Sequence, residues 1–340
     1  MKILVAGGAG YIGSTTCSAL IDNGHTPVIL DSLVTGRKEF TKERIFYQGD
    51  IADRNVLEKI CTDHPDIDCV LHFAALIVVP DSVINPFEYY KENVGKSLVF
   101  YHNLMSLGIK KIIFSSSASI YDDVPGFMVT EDSPLNPRSP YARTKYMMEA
   151  ILKDFANAYD LHGVVLRYFN PIGADPKMRT GMQIRLPSHV VGKMVSTATG
   201  KEKEFLITGT DWPTRDGSGI RDYIHVWDLA IAHVKAVERF DEIFRILSKE
   251  AGEEIHSIAI NLGSGNGVTV KELVQAFENV YQQPLPKRDA PPREGDVAGA
   301  FANADRAKKL LGWETKLSIE EGIADALKWA EIRDTIIQYA

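Results

Sequence analysis

Hydrophobic positions along the chain fall into short unbroken runs separated by longer stretches in which apolar and polar residues alternate with helical spacing. The runs KILVAG, TPVILD, RIFYQGD, CVLHFAA, KIIFSSS and GVVLRYFN predict strands, and residues 11–23, 53–63, 87–107 and 140–160 predict helices. Strands that are apolar throughout, rather than at every second position, belong to a parallel sheet covered by helices on both faces. The pattern therefore predicts an α/β protein with a doubly wound parallel (Rossmann) sheet. After residue 170 the rhythm gives way to loop-like segments such as GADPKMRTG and GTDWPTRDGSGIRD. It returns in IHVWDLAIAHVKAVERF, read as a helix, in SIAINLG, read as a strand, and in helices over 269–282, 304–311 and 318–337. Two domains follow as the expectation: a dinucleotide-binding unit of residues 1–169 plus 226–262, and a smaller mixed α/β substrate domain of residues 170–225 plus 263–340.

At 340 residues, 45% of them hydrophobic, the chain can bury a large core. A formal charge of −7 gives no whole-chain attraction to nucleic acid or anionic membrane, and neither partner is expected. No apolar stretch approaches the roughly 20 residues that a membrane-spanning helix needs. Cys17, Cys61 and Cys69 form no C-x-x-C and sit in strand-like or helix-like segments, which suits core packing in a reducing compartment, so a cytoplasmic protein is expected. Nine histidines are scattered without a zinc-binding pattern, and no metal centre is expected; His72, on an apolar strand, reads as a core residue.

Candidate chemistry begins where the first strand meets the first helix, at GGAGYIGS. Gly7, Gly10 and Gly13 there permit a tight turn and close backbone approach to a pyrophosphate, with Tyr11 and Ile12 opening the helix whose N-terminus attracts the anion. A sharp turn with nothing bound is the competing reading of a glycine trio. Asp31 ends the second strand, 18 residues after Gly13, where a carboxylate can accept from a ribose diol. It favours NAD over NADP, because a 2'-phosphate would be repelled. A helix-capping aspartate is the alternative. Asp50 and Ile51 follow the third strand and are candidates for the adenine. In SPYARTKY, Ser139 and Pro140 read as a helix start that sets Tyr141 and Lys145 one turn apart on one face, where an ammonium can make a phenol a better base; a solvated pair is the bland alternative.

With the glycines, Asp31, the serine run of IIFSSS and the Tyr141/Lys145 pair in place, the chain resembles the extended short-chain dehydrogenase/reductase superfamily, and within it the UDP-galactose (UDP-glucose) 4-epimerases. HFAAL, EYYKENV, FSSSASIYDD, LRYFNPIGA, GIRDYIHVWDLA, NLGSGNGVTV and REGDVAGAFAN carry that resemblance over nearly the whole chain. It implies retained NAD, a UDP-sugar substrate and a homodimer built through helices 87–107 and 140–160. It also implies a catalytic trio of Ser117, Tyr141 and Lys145. By the same resemblance Phe73, Ala74, Ala75, Asn93, Ser115, Tyr141, Lys145 and Tyr168 belong to the cofactor site, with Pro171 flanking the nicotinamide. Ser117, Asn170, Arg221, Arg293, Asp296 and Ala300 would meet the nucleotide-sugar.

Four positions depart from the family pattern: Ile77 where a lysine often reaches the pyrophosphate, Gln183 and Ile184 where an asparagine pair stands near the uridine diphosphate, and Thr208 where an aromatic flanks uracil. The small Ala300 implies room for an N-acetyl group, unless Phe301 refills the space. A nucleotide-sugar 4,6-dehydratase would need a carboxylate where Ser115, Ser116 and Ser117 stand. A UDP-glucuronate epimerase remains an alternative, as does, from another class, a non-catalytic NAD-sensing binding protein.

Overall fold

Along each strand of the central sheet, successive side chains enter opposite hydrophobic cores. In the computed structural model, which describes residues 1–292 and 297–339, Ile3 and Val5 join one core while Leu4 and Ala6 join the other. Cys69 and Leu71 face the first and Val70 the second; Ile113, Val164 and Leu166 face the first and Ile112, Phe114 and Val165 the second. This division is why the strand sequences lack a polar alternate position: the pleat has no solvent face to serve.

Seven parallel strands make this sheet: β1 (Lys2–Ala6), β2 (Thr26–Asp31), β3 (Ile45–Gln48), β4 (Ile67–His72), β5 (Lys111–Ser117), β6 (His162–Tyr168) and β7 (Ser257–Leu262). Their order, β7-β6-β5-β4-β1-β2-β3, is that of a doubly wound sheet, with the direction of winding reversing between β1 and β4. The helices that matter for the site are α1 (Tyr11–Asp22), α2 (Arg54–Asp63), α3 (Lys96–Ser106), α4 (Pro140–Ala158), α5 (Val226–Glu238) and α6 (Phe240–Ala251). α1 and α5 lie together on one face, and the core between α3, α4 and the sheet fills the other.

The segment that precedes α3 holds a finding of its own. Residues 87–107 read as one helix, but a π-helical turn, Tyr90–Gly95, links Pro86–Tyr89 to α3. The wider turn carries the buried Asn93.

A third core lies beneath a five-stranded sheet whose central strand, Ile220–His225, pairs with Asn170–Ile172, Gly267–Thr269 and Gly299–Ala302. Ile220–His225 corrects the sequence reading, which gave its first residues to a loop and its last to a helix. Helices Val270–Tyr281 and Ile319–Ile336 begin with capping boxes, Thr269 with Glu272 and Ser318 with Glu321, so their starts were legible locally. Helix Val190–Ala198, helix α6 and the paired strands Phe205–Thr208 and Lys287–Ala290 were not anticipated. Among the described residues no helix is long and apolar enough to cross a membrane. Cys17, Cys61 and Cys69 are free thiols, two of them fully buried. His72 is a core residue, its Nδ1 3.0 Å from the Tyr101 hydroxyl.

Candidate active site

The turn between β1 and α1 is built by backbone proximity. Gly7 has φ of +83°, and a Cβ there would stand 2.6 Å from the Ala74 nitrogen. A Cβ on Gly13 would lie 2.3 Å from the Gly7 carbonyl oxygen, so the helix can approach the turn this closely only with glycine. Gly10 is the N-cap of α1 and offers no side-chain cap, while a Cβ on it would meet only the Gly7 oxygen, at 3.5 Å. The first amides of α1 thus form an anion-binding helix end without a competing side chain. Tyr11 and Ile12 begin the helix; the Tyr11 hydroxyl donates to the Gly173 carbonyl at 2.7 Å, and Ile12 packs on the core.

Asp31 caps no helix. Its two carboxylate oxygens accept from the Ala9 and Leu33 amides at 2.9 and 2.8 Å, tying the glycine turn to the loop after β2. Burial raises its pKa, and the two amide hydrogen bonds oppose that shift. Each oxygen retains accepting capacity for a diol. Asp50 accepts from the Ala52 amide at 2.9 Å and from the Lys96 ammonium at 2.5 Å, with Ile51 buried beside it. These residues fit an adenosine ribose and a pyrophosphate arranged over the switch between β1 and β4.

Phe73 and Ala74 continue β4 by donating their amides to the Ala6 carbonyl at 2.8 and 3.0 Å, with Ala75 next in the turn. Asn93 clamps the following loop: its Oδ1 accepts from the Leu76 amide at 2.8 Å and its Nδ2 donates to the Leu76 carbonyl at 2.9 Å and the Thr144 hydroxyl at 3.1 Å. One side chain thereby fixes the β4 loop to the helix that bears Tyr141 and Lys145.

That helix starts where its local sequence directs. Ser139 Oγ accepts from the Ala142 amide at 3.1 Å and Pro140 occupies the first turn. Lys145 is buried and its Nζ donates to the Ser115 carbonyl at 2.7 Å, while lying 5.9 Å from the centre of the Tyr141 ring and 5.0 Å from that of Phe114. Burial lowers the lysine pKa to about 7, against the opposing pull of Glu149. Burial raises the Tyr141 pKa, and the hydrogen bond with Ser117 partly counters it. Desolvation thus outweighs the activating effect expected of the pair: the phenol moves up, not down. Ser117 Oγ also donates to Ser119 Oγ at 2.9 Å. Tyr168 ends β6; its hydroxyl is hydrogen-bonded to His233 of α5, and both its ring and that of Phe73 pack against this histidine, 5.2 and 4.8 Å away. Burial takes the Tyr168 phenol up and His233 down to about 4.

A charged network beneath the trio escaped sequence reading. Arg167 donates through Nη2 to Glu149 at 2.7 Å and through Nη1 to the Tyr121 hydroxyl at 2.8 Å and the Glu131 carbonyl at 3.0 Å. Ser116 donates to Glu149, and Tyr121 donates to Asn261 on β7 at 2.7 Å. Two signals were available: Glu149 lies four residues beyond Lys145 on the same helix face, and Arg167 interrupts an apolar strand, where a cation requires a partner.

In the smaller sheet, Asn170 and Pro171 pair with Tyr223 and Ile224. Arg221 donates to the carbonyls of Ile220 at 2.7 Å, Ala298 at 2.8 Å and Val297 at 3.1 Å. Asp222, the next residue, is buried and accepts from the Ser264, Gly265 and Ala302 amides. Ala300 registers with Arg221 across the parallel pair. Phe301, the next residue of that strand, lies over Gly267, where a Cβ would come within 2.5 Å of it, and so faces away from Ala300. Arg293 and Asp296 lie outside the described residues.

Of the four departures, Ile77 is 57% exposed. Gln183 is buried, donates to the Thr35 carbonyl at 3.2 Å and, with Ile184, accepts through its backbone from Tyr339 and Arg333 of the C-terminal segment. Thr208 ends its strand beside a cleft of about 500 Å3 lined in part by Gly209, Trp212, Asp289, Ala290 and Pro292.

Comparison with known proteins adds the following. Residues 3–247 match the family model described as the NAD dependent epimerase/dehydratase family. A UDP-glucose 4-epimerase of Bacillus subtilis (strain 168) is 41% identical over 339 residues, covering 97% of this chain and 96% of the relative. The crystal structure of a UDP-glucose 4-epimerase from Stenotrophomonas maltophila, with bound NAD and formylated UDP-arabinopyranose, superposes with a TM-score of 0.90 at 37% identity, over 98% of this chain and 99% of that one. The UDP-Glc/GlcNAc 4-epimerase of Campylobacter jejuni gives 0.81 at 32% identity, over 97% and 99%.

Proposed function

The chain belongs to the NAD-dependent epimerase/dehydratase family, and from that premise we propose that it interconverts UDP-glucose and UDP-galactose by inverting C4 through a transient 4-keto sugar. The observation that carries this reading is the convergence of the Ser117 hydroxyl, the Tyr141 phenol and a buried Lys145 at the carboxyl ends of β5 and β6, opposite the glycine turn. Binding alone requires no such trio.

Gly7, Gly10, Gly13 and Asp31 would hold NAD through its pyrophosphate and ribose, with Tyr11, Ile12, Asp50, Ile51, Phe73, Ala74, Ala75, Asn93, Ser115 and Tyr168 completing the site. Bound NAD supplies a reversible hydride acceptor for C4. Tyr141 takes the proton of the sugar 4-hydroxyl as a phenolate and returns it after the 4-keto sugar has presented its other face. Ser117 orients that oxygen, and Lys145 favours the phenolate by its charge. Asn93 acts through the loop it clamps. Asn170, Arg221, Arg293 and Asp296 serve the UDP-sugar, the arginines by pairing with phosphate oxygens.

N-acetylated UDP-sugars belong within the substrate range, because Ala300 is small and Phe301 faces the other way. The division into residues 1–169 plus 226–262 and 170–225 plus 263–340 is supported by the separate core under the smaller sheet. A homodimer is supported by apolar side chains exposed on α3 and α4, Leu98, Val99, Tyr146 and Met147, each at least 40% exposed. Free cysteines suit a cytoplasmic protein. The test is proton NMR of C4 inversion, without added NAD, on UDP-galactose and on UDP-N-acetylgalactosamine. Conversion of both is expected. Failure on the first, even with NAD supplied, overturns the activity, and failure on the second alone overturns the open pocket.

A further inference from the structure

At the end of the sheet remote from the trio, parallel pairing brings together three side chains nearly a hundred residues apart. His162 opens β6, and His256 immediately precedes β7, where the Gly163 amide donates to the His256 carbonyl at 2.9 Å and Ser257 registers with Gly163. Glu254 lies two residues before His256, so in extended backbone it projects to the same side. The two imidazole rings are 5.2 Å apart, and one ligand atom from each of His162, Glu254 and His256 lies within 4.8 Å of the others. His256 Nδ1 is shielded from solvent and has no hydrogen-bond partner among the described residues; Glu254 Oε1 stands 4.0 Å from it.

We propose that His162, Glu254 and His256 bind a divalent transition-metal ion of the zinc class, in a structural role separate from the reaction. Two imidazoles and one carboxylate form a borderline donor set that suits zinc rather than magnesium or calcium, and leave a position for water. Small side-chain rotations bring the donors to the spacing of about 3.4 Å that tetrahedral bonds of about 2.0 to 2.1 Å require. Both histidines must be neutral to ligate, so binding weakens as the pH falls. The nearby carboxylates of Asp160 and Asp241 are ion-paired with Lys110 and Lys111, which leaves Glu254 as the acidic donor beside the two imidazoles. The ion would fasten the edge strand β7 to β6 at the point where the chain leaves α6. The seven-residue strand β6 runs from His162 to Tyr168, about 20 Å at the rise of a strand, so turnover does not depend on the metal end.

The experiment titrates untagged, NAD-loaded enzyme with Co2+ as a spectroscopic stand-in, followed by Zn2+. One Co2+ per chain, with the intense visible absorption of a four- or five-coordinate ion displaced by Zn2+, is expected. Glu254→Ala, at an exposed side chain, weakens binding by about tenfold or more, and the His162→Gln/His256→Gln double variant abolishes it. Zn2+ raises the melting temperature of the wild type and not that of the double variant. Epimerisation persists in all three proteins, which reports that they are folded. Absence of the cobalt absorption, or the same absorption and stoichiometry in Glu254→Ala and the double variant, overturns the site.

Discussion

Replacing Gly7 and Gly10 separately by alanine divides the glycine turn into a part that makes the fold and a part that makes the binding site. At Gly7 the new methyl adopts φ of +83° and meets the backbone of Phe73 and Ala74 at 2.6 to 2.9 Å. The left-handed conformation costs about 1–2 kcal/mol for an L-residue. Crowding against backbone, which cannot rotate away as a side chain can, costs about 1–3 kcal/mol more. Stiffening of the unfolded chain offsets about 0.4–1 kcal/mol of this. A net loss of about 2–4 kcal/mol follows, a large fraction of an ordinary folding stability of about 5–15 kcal/mol. Gly10 has φ of −84°, and its methyl would meet only the Gly7 oxygen at an ordinary 3.5 Å, so Gly10→Ala changes stability by about 0.5 kcal/mol or less. That methyl stands on the N-cap of α1, where it obstructs an anion. The assay is urea denaturation of NAD-stripped protein, because bound ligand would itself stabilise the fold, paired with the NAD content of each variant as purified. Gly7→Ala is expected to lower the midpoint, and Gly10→Ala to keep the midpoint but lose NAD. Equal midpoints for the two variants would refute the geometric reasoning.

Three further outcomes follow from the site. Tyr141→Phe should lower kcat by about 10^2 to 10^4 while leaving NAD content unchanged, measured by turnover of UDP-galactose and by absorbance of released cofactor. Because burial lowers Lys145 from 10.5 in the unfolded chain to about 7, this group binds more protons in the unfolded chain between those values and its own contribution to stability rises with pH there. The stability deficit of the ligand-free wild type relative to Lys145→Met should be largest below pH 7 and shrink toward pH 10.5, and a difference constant with pH would contradict the buried lysine. Arg167→Met leaves Glu149 buried without its cation and should cost about 3–5 kcal/mol, recovered in large part by adding Glu149→Gln; a double-mutant cycle by chemical denaturation checks it.

Much of the central sheet was legible because its rules are local. Apolar runs such as KILVAG and KIIFSSS, short and rich in β-branched residues, favour a strand with two covered faces, and Ser139-Pro140 or Thr269 with Glu272 announce helix starts through bonds that span three residues. The smaller sheet was harder to read because its strands are short and polar: Ile220–His225 contains Arg221, Asp222 and His225, and it is a strand only because Asn170–Ile172, Gly267–Thr269 and Gly299–Ala302 pair with it. No window of sequence contains those partners.

The residue types proposed to bear the chemistry, and the spacing of Tyr141 to Lys145 and of Gly7 to Gly13, are properties of the chain alone, since each rests on one helical turn or one tight turn. Tertiary structure decided their electrostatics and their company. Burial moved the Tyr141 phenol up and Lys145 down to about 7, an outcome that depends on how much protein surrounds a charge rather than on its neighbours in sequence. It set Glu149 and Arg167 beneath the lysine, turned Gln183 toward Thr35, and faced Phe301 away from Ala300. The meeting of His162 with Glu254 and His256 exists only through the pairing of β6 with β7, a contact whose partners are joined by sheet hydrogen bonds and not by the chain between them.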